Sequence, residues 1–297
     1  MFELFTKIAG IVLPFFVFLT MFNVGLTQQL RDIVTYLKDK QFGIRMLVAN
    51  FILAPLLMWG MLQLFPIDPF LRLGLAIFSI CAGAPFLIKL THQSEHDLAL
   101  GASTMITLVL ATVVIVPLLL PLIIPQIGIN GGLIAWTLIK QLILPILLGL
   151  LLAKVLPGFV KRIQPWVAKI GNGTLYVMII ATLVGYFPAL KEVMGQGAIL
   201  IGVVFVLGAF GIGYLLGGRN DKDHLQDVGA LATAQKNTAA GMLIAAQNFS
   251  DHPEVLVTIT IANTLGIVLL LVLAKILSKD NKKQNNYPGR PLPQPDA

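Results

Sequence analysis

Apolar residues in this chain fall into nine long runs, separated by short polar stretches. The runs lie near 8–27, 43–65, 71–91, 98–124, 132–156, 166–187, 195–218, 227–249 and 254–278. Each is about long enough, at roughly 18 residues or more, to cross hydrocarbon as a helix. The pattern predicts an all-α membrane protein of about nine transmembrane helices, forming one transmembrane domain over 1–278. A first repeat spans about 8–124 and a second about 132–278. Within the second, the run at 132–156 separates two matching sets of four. The stretch 279–297 is polar and ends in YPGRPLPQPDA. It has too little apolar surface to order itself and is expected to be a disordered cytoplasmic tail.

Two runs depart from the smooth apolar pattern, and each is third in its set of four. The first, SICAGAPFLIKL, places Gly83 and Pro85 ahead of Lys89. Pro85 lacks an amide proton and crowds the preceding turn, so the helix is expected to break there. The second, GALATAQKNTAAGMLIAAQ, carries Gln235, Lys236, Asn237 and Thr238 at mid-run. Equivalent runs are five apart in the series, an odd number, so the two sets have opposite orientations. Interrupted helices at matching places in inverted halves mark the central site of a secondary transporter.

Composition agrees with this reading. Hydrophobic residues make up 57% of the 297 residues and charged residues 12%, and mean hydropathy is +0.86. Soluble domains carry about 25% charge, so lipid must be the solvent for most of this surface. The net charge of +7 reflects basic residues in alternate loops and the tail, not a nucleic-acid footprint. Arg31, Lys38 and Lys40 follow the first run, Lys161 and Arg162 the fifth, and Arg219 and Lys222 the seventh. Lys279, Lys282, Lys283 and Arg290 lie in the tail. The other loops offer little: Asp68 in one, Lys191 against Glu192 in another, Asp251 and Glu254 in a third. The positive-inside rule then places the N-terminus outside and the C-terminus in the cytoplasm, with a bacterial inner (plasma) membrane as the expected location. The first run has no basic flank or small-residue cleavage site and reads as a retained helix.

Chemistry-bearing motifs are few. The single cysteine, Cys81, excludes an internal disulfide and a cysteine-based metal site. His92 and His96 have i, i+4 spacing, but no HExxH surrounds them, and no metal site is expected. Trp59, Trp136 and Trp166 read as interfacial anchors. No Ser-His-Asp set, HExxH motif or pair of membrane aspartates appears, so an intramembrane enzyme is not expected.

The chain resembles the bile acid:sodium symporter superfamily. The likeness is carried by MFNVGLTQQL (21–30), VANFILAP (48–55), the stretch from Gly74 through CAG (81–83) to DLALG (97–101), and VPLLLP (116–121). In the second half it is carried by YLLGG (214–218), QKNTAAG (235–241) and NTLG (263–266). Order and spacing agree from the first run to the last. Relative to ten-helix members, the first helix has no counterpart here. The resemblance implies a panel domain and a core domain in which two broken helices cross at the membrane centre, with substrate bound beside the crossing.

It also implies where this chain differs. Sodium-coupled members place a Ser-Asn pair in the first broken helix, where this chain has Leu87 and Ile88, followed by Lys89. They place Glu, then Gln-Asn four residues on, in the second. Here these positions are Ala232, Lys236 and Asn237, and the amide of the second run is retained as Asn50. An ammonium has three donors and no acceptor, so it cannot ligate sodium and repels it. Each lysine is expected either to occupy a vacated sodium site, with Asn50, Asn237 and Thr238 nearby, or to face the cavity and bind an anionic substrate. Snorkelling to an interface is the alternative for both. Gln235 and Asn263 complete the expected substrate-binding or coupling residues, with Gly83 and Pro85 at the break; no catalytic or metal-binding residue is assigned.

The expected function is secondary active or facilitative transport of a small organic anion by alternating access, without sodium. It would be proton-linked, with Lys236 carrying the proton, or a uniporter or exchanger; no cofactor is expected. Lipid and the organic anion are the partners. The competing readings are a sodium-dependent bile acid or organic acid symporter, a membrane sensor of the same fold that has lost transport, and a channel.

Overall fold

The computed structural model describes residues 2–28, 40–123, 130–188, 191, 193, 197–218 and 225–285. Among them are helices and turns and no strand. Helix α1 is Phe2–Thr27 and α2 is Lys40–Leu64. The third helix is broken into α3a, Pro69–Ile80, and α3b, Phe86–Gln93. Next come α4, Leu98–Ile123, α5, Gly131–Val155, α6, Pro157–Gly185, and α7, Ala198–Gly217. The eighth is broken into α8a, Leu225–Ala234, and α8b, Thr238–Asn248, and α9 is Pro253–Asn285. Among the described residues, seven helices are long and apolar enough to cross a membrane unbroken. The two broken helices bring the bundle to the nine expected, and the protein is a multi-pass integral membrane protein.

The helices sort into two layers. In the panel, α1 lies along α6 and α5. Gly25 and Gly149 make the α1–α5 approach possible, because a Cβ on Gly25 would lie 2.9 Å from the Gly149 Cα. In the core, α7 packs on α8a, α9 packs on α3a and α8b, and α2 bridges α7 and α3a. The panel meets the core through α8b, α4 and α9. Large side chains exposed on the outer faces, such as Trp59, Leu118, Trp136, Leu151 and Trp166, are the ones a lipid solvent leaves outward.

Both breaks appear, and the first differs in detail from expectation. Helix α3a ends before Cys81, and Pro85 opens α3b instead of ending α3a. The break turns on Gly83, at φ +78°. Two wide π-type turns also occur, at Ala49–Leu53 and Ile139–Ile143. Pro55 and Pro145 follow them and cannot donate to the carbonyl four residues back.

Two expected boundaries are corrected. Lys161 and Arg162 lie in the first turns of α6 and not in a loop, because Pro157 starts that helix directly after Leu156. The tail does not begin at 279, since α9 continues to Asn285; lysine and glutamine in this extension are good helix formers. Residues 286–297, with Arg290, lie outside the described residues, as do Arg31, Lys38, Glu192, Arg219, Lys222 and His224. The same holds for the Lys282 and Lys283 side chains.

Gly83 combines left-handed backbone with no room for a Cβ, which would overlap the α4 backbone at Val109 and Leu108. Gly83→Ala is expected to cost at least about 1–3 kcal/mol through backbone strain alone. Gly10→Ala, which meets nothing within 4 Å, is the control. Melting of the two variants in detergent checks this, with a lowered midpoint for Gly83→Ala only.

Candidate functional site

The two broken helices meet at their breaks and satisfy each other's backbone. The Asn237 amide donates to the Cys81 carbonyl at 2.9 Å. The Asn237 Nδ2 donates to the Gly83 carbonyl at 3.0 Å. Its Oδ1 accepts from the Ala240 amide at 3.1 Å, so the same side chain caps α8b. Asn237 thus joins the first break to the second. Thr112 of α4 completes the first break, accepting from the Ala82 amide at 3.0 Å and donating to the Ala82 carbonyl at 2.9 Å.

Lys236 lies inside this crossing and is 1% exposed. Its Nζ donates to Asn50 Oδ1 at 3.3 Å and sits 5.6 Å from the centroid of the Phe205 ring. Asn50 is aimed by its other end: Nδ2 donates to the Met46 carbonyl at 3.0 Å and to Thr233 Oγ1 at 3.3 Å. Asn50 stands in the wide turn of α2, where such turns re-aim side chains. Gln235 donates from Nε2 to the Lys236 carbonyl at 3.3 Å, and its Oε1 is buried without a partner. Thr238 Oγ1 reaches the same carbonyl at 3.5 Å.

The other expected residues are placed differently. Leu87 is buried and Ile88 half-buried on α3b, so hydrocarbon stands where the resemblance implies a Ser-Asn pair. Ala232 is buried on α8a. Lys89 does not enter the crossing. It is exposed on α3b, with its Nζ 5.3 Å from the Phe86 ring centroid. Of the positions expected for the two lysines, Lys236 takes the one in the crossing, and Lys89 is exposed outside it. Asn263 is half-buried on α9, and among the described residues no hydrogen bond joins it to the crossing.

Several contributors gave no sequence signal. Thr112 and Thr233 are single hydroxyls in apolar helices, and Phe205 is one aromatic among many. His96 and Asp227 were readable only as loop and helix-end charges. They form a buried pair, His96 Nε2 to Asp227 Oδ2, at 2.9 Å. It ties the loop after α3b to the first turn of α8a. His92 is exposed, and among the described residues no group of three metal-ligating side chains occurs.

Thr112→Val would leave both polar groups of Ala82 without their partner. The expected cost is about 1–3 kcal/mol, read as a lower melting midpoint in detergent. Thr107→Val, at a half-buried hydroxyl bonded only within its own helix, should melt close to wild type.

A family model described as the sodium bile acid symporter family matches residues 14–206. No curated protein matches.

Proposed function

This chain belongs to the sodium bile acid symporter family, and we propose that it carries a small organic anion by alternating access without sodium, the ammonium of Lys236 standing where sodium-coupled members hold an ion. The family is made up of transporters, not enzymes.

One observation carries the proposal: the fully buried Lys236 Nζ at 3.3 Å from Asn50 Oδ1. A tethered monovalent cation fills the position and supplies the charge. It has no lone pair to offer sodium, and it repels a second cation in a low-dielectric setting. Leu87, Ile88 and Ala232 withdraw the remaining oxygen ligands that the resemblance calls for. A buried ammonium among neutral groups is also attractive to an anion bound nearby. The exposed ammonium of Lys89 is the group placed to touch one. Bile acids, pantoate-like acids and keto acids all carry the carboxylate this requires.

A thermal-shift screen against these anions selects the probe, and uptake into proteoliposomes then tests coupling. Replacing sodium by choline at fixed pH is expected to change uptake less than twofold; a drop of tenfold or more overturns the proposal. The proton of Lys236 is the proposed coupling ion wherever net transport depends on pH. Lys236→Gln then flattens the pH profile, and a variant that keeps the wild-type profile removes Lys236 as the titrating group.

The proposed orientation places the α1 N-terminus outside and the end of α9 in the cytoplasm. Reporters fused after Ala297 and between Val155 and Pro157 should both read cytoplasm. An extracytoplasmic signal from either contradicts the charge-based assignment.

A further inference from the structure

The matching halves of the two broken helices, α3b and α8b, are treated differently by the panel. Helix α8b packs against α1 and α5. Its residues from Ala239 to Ala245 are buried, and Gln247 is tied to Thr137 of α5 at 2.9 Å. Helix α3b packs against α4, α9 and α8a, without comparable packing on α1, α5 or α6. Panel and core are thus closed at the α8b end and apart at the α3b end. In an inverted-repeat carrier the second state exchanges these roles. Helix α3b then closes on the panel as α8b leaves it.

The two closures are chemically unequal. Helix α8b, TAAGMLIAAQN, contains no charged residue. Helix α3b, FLIKLTHQ, contains Lys89, which is exposed on a helix without comparable packing on α1, α5 or α6. Among the described residues, the panel helices offer no free carboxylate to neutralise it. Helices α1, α5 and α6 contain one acid among them, Glu3, which is exposed at the start of α1 and already 2.8 Å from Lys7. They otherwise carry Lys140, Lys154, Lys161, Arg162 and Lys169. Among the described residues no carboxylate lies within 4 Å of Lys89 Nζ. Sealing an unpaired ammonium between largely apolar helices is strongly disfavoured. An anion on Lys89 converts the charge to a pair and removes that barrier.

We propose that Lys89 makes closure of the α3b end conditional on a bound anion, so that the protein works as an anion exchanger. The empty carrier stays open at the α3b end and does not return, while the loaded carrier closes and crosses. This rests on the anion-transport reading above and adds the mode of transport to it.

Two measurements test it. The first needs no substrate. A cysteine reporter, His92→Cys, lies on the exposed side of α3b, whereas the native Cys81 is fully buried. Without any anion, the reporter is expected to react rapidly with a hydrophilic maleimide in detergent. Adding Lys89→Met lets the empty carrier close, and labelling should slow at least threefold; Lys169→Met on the panel is the charge control. Equal labelling rates with and without Lys89 overturn the proposal. The second measurement compares uptake of radiolabelled taurocholate, and separately pyruvate, into proteoliposomes with and without the same anion inside. Internal anion should accelerate uptake at least tenfold in wild type and less than twofold in Lys89→Met. Wild-type uptake that is equally fast into empty vesicles overturns the exchange mode and leaves anion transport standing. Absence of uptake in both modes, with no anion-induced thermal shift, counts against the transport reading itself; the labelling result then decides the role of Lys89 alone.

Discussion

Inside a bilayer, a helix that stops halfway leaves amides and carbonyls with no water to bond to. Two such helices stop in this molecule, and each break is made tolerable by the other. Asn237 spans them, donating from its backbone to Cys81, from its side chain to Gly83, and capping its own helix through Ala240. Thr112 answers the polar groups of Ala82 that remain. Gly83 is required because α4 comes too close for any side chain there. The rest of the core is arranged around this contact: α4 presses on the first break, α9 covers both broken helices, and α7 braces α8a.

The crossing also explains how an ammonium is tolerated at its centre. Lys236 faces one amide oxygen and an aromatic ring, without a carboxylate among its hydrogen-bond partners. A lysine at such a depth costs roughly 2.5–3.5 kcal/mol on insertion scales, and one long hydrogen bond with a cation–π contact offsets only part of that. A group this costly is a functional feature by default. On the proposal above, a side-chain amine tethered to the chain stands where sodium-coupled members hold an exchangeable ion. Because that amine is part of the chain, occupancy of the position is, on this proposal, independent of an external sodium concentration.

Much of this was legible before any coordinates. Nine apolar runs gave nine spans, and the paired interruptions located the crossing, because hydropathy and helix breakers are local properties of the chain. Asn50, Lys236 and Asn237 were readable as polar residues where lipid-facing helices hold none. What remained hidden depends on which face of a helix points where. Lys89 and Lys236 look alike in sequence, each a lysine in a broken helix, yet one is sealed in the crossing and the other exposed. Thr112 is one of several hydroxyls in α4, and only the fold singles it out. The extended α9 was missed because a polar segment without an apolar face reads as unstructured, although lysine and glutamine continue a helix readily once it has started.

The separation of the two lysines gives the core an electrical asymmetry that its backbone lacks. The two broken helices have the same plan, and a plan repeated in opposite directions would open equally well to either side. Helix α8b closes on the panel through neutral contacts such as Gln247 with Thr137. Helix α3b must bring a charge to the same kind of closure, toward panel helices that, among the described residues, hold one acid and several basic groups. A buried unpaired charge is far more costly than a buried pair, so the repeat that carries Lys89 favours the open arrangement until an anion arrives. Lys236 is sealed in the crossing between the two broken helices and belongs to neither closure. Sequence symmetry therefore supplies two states, and a single unpaired side chain sets the condition for passing between them.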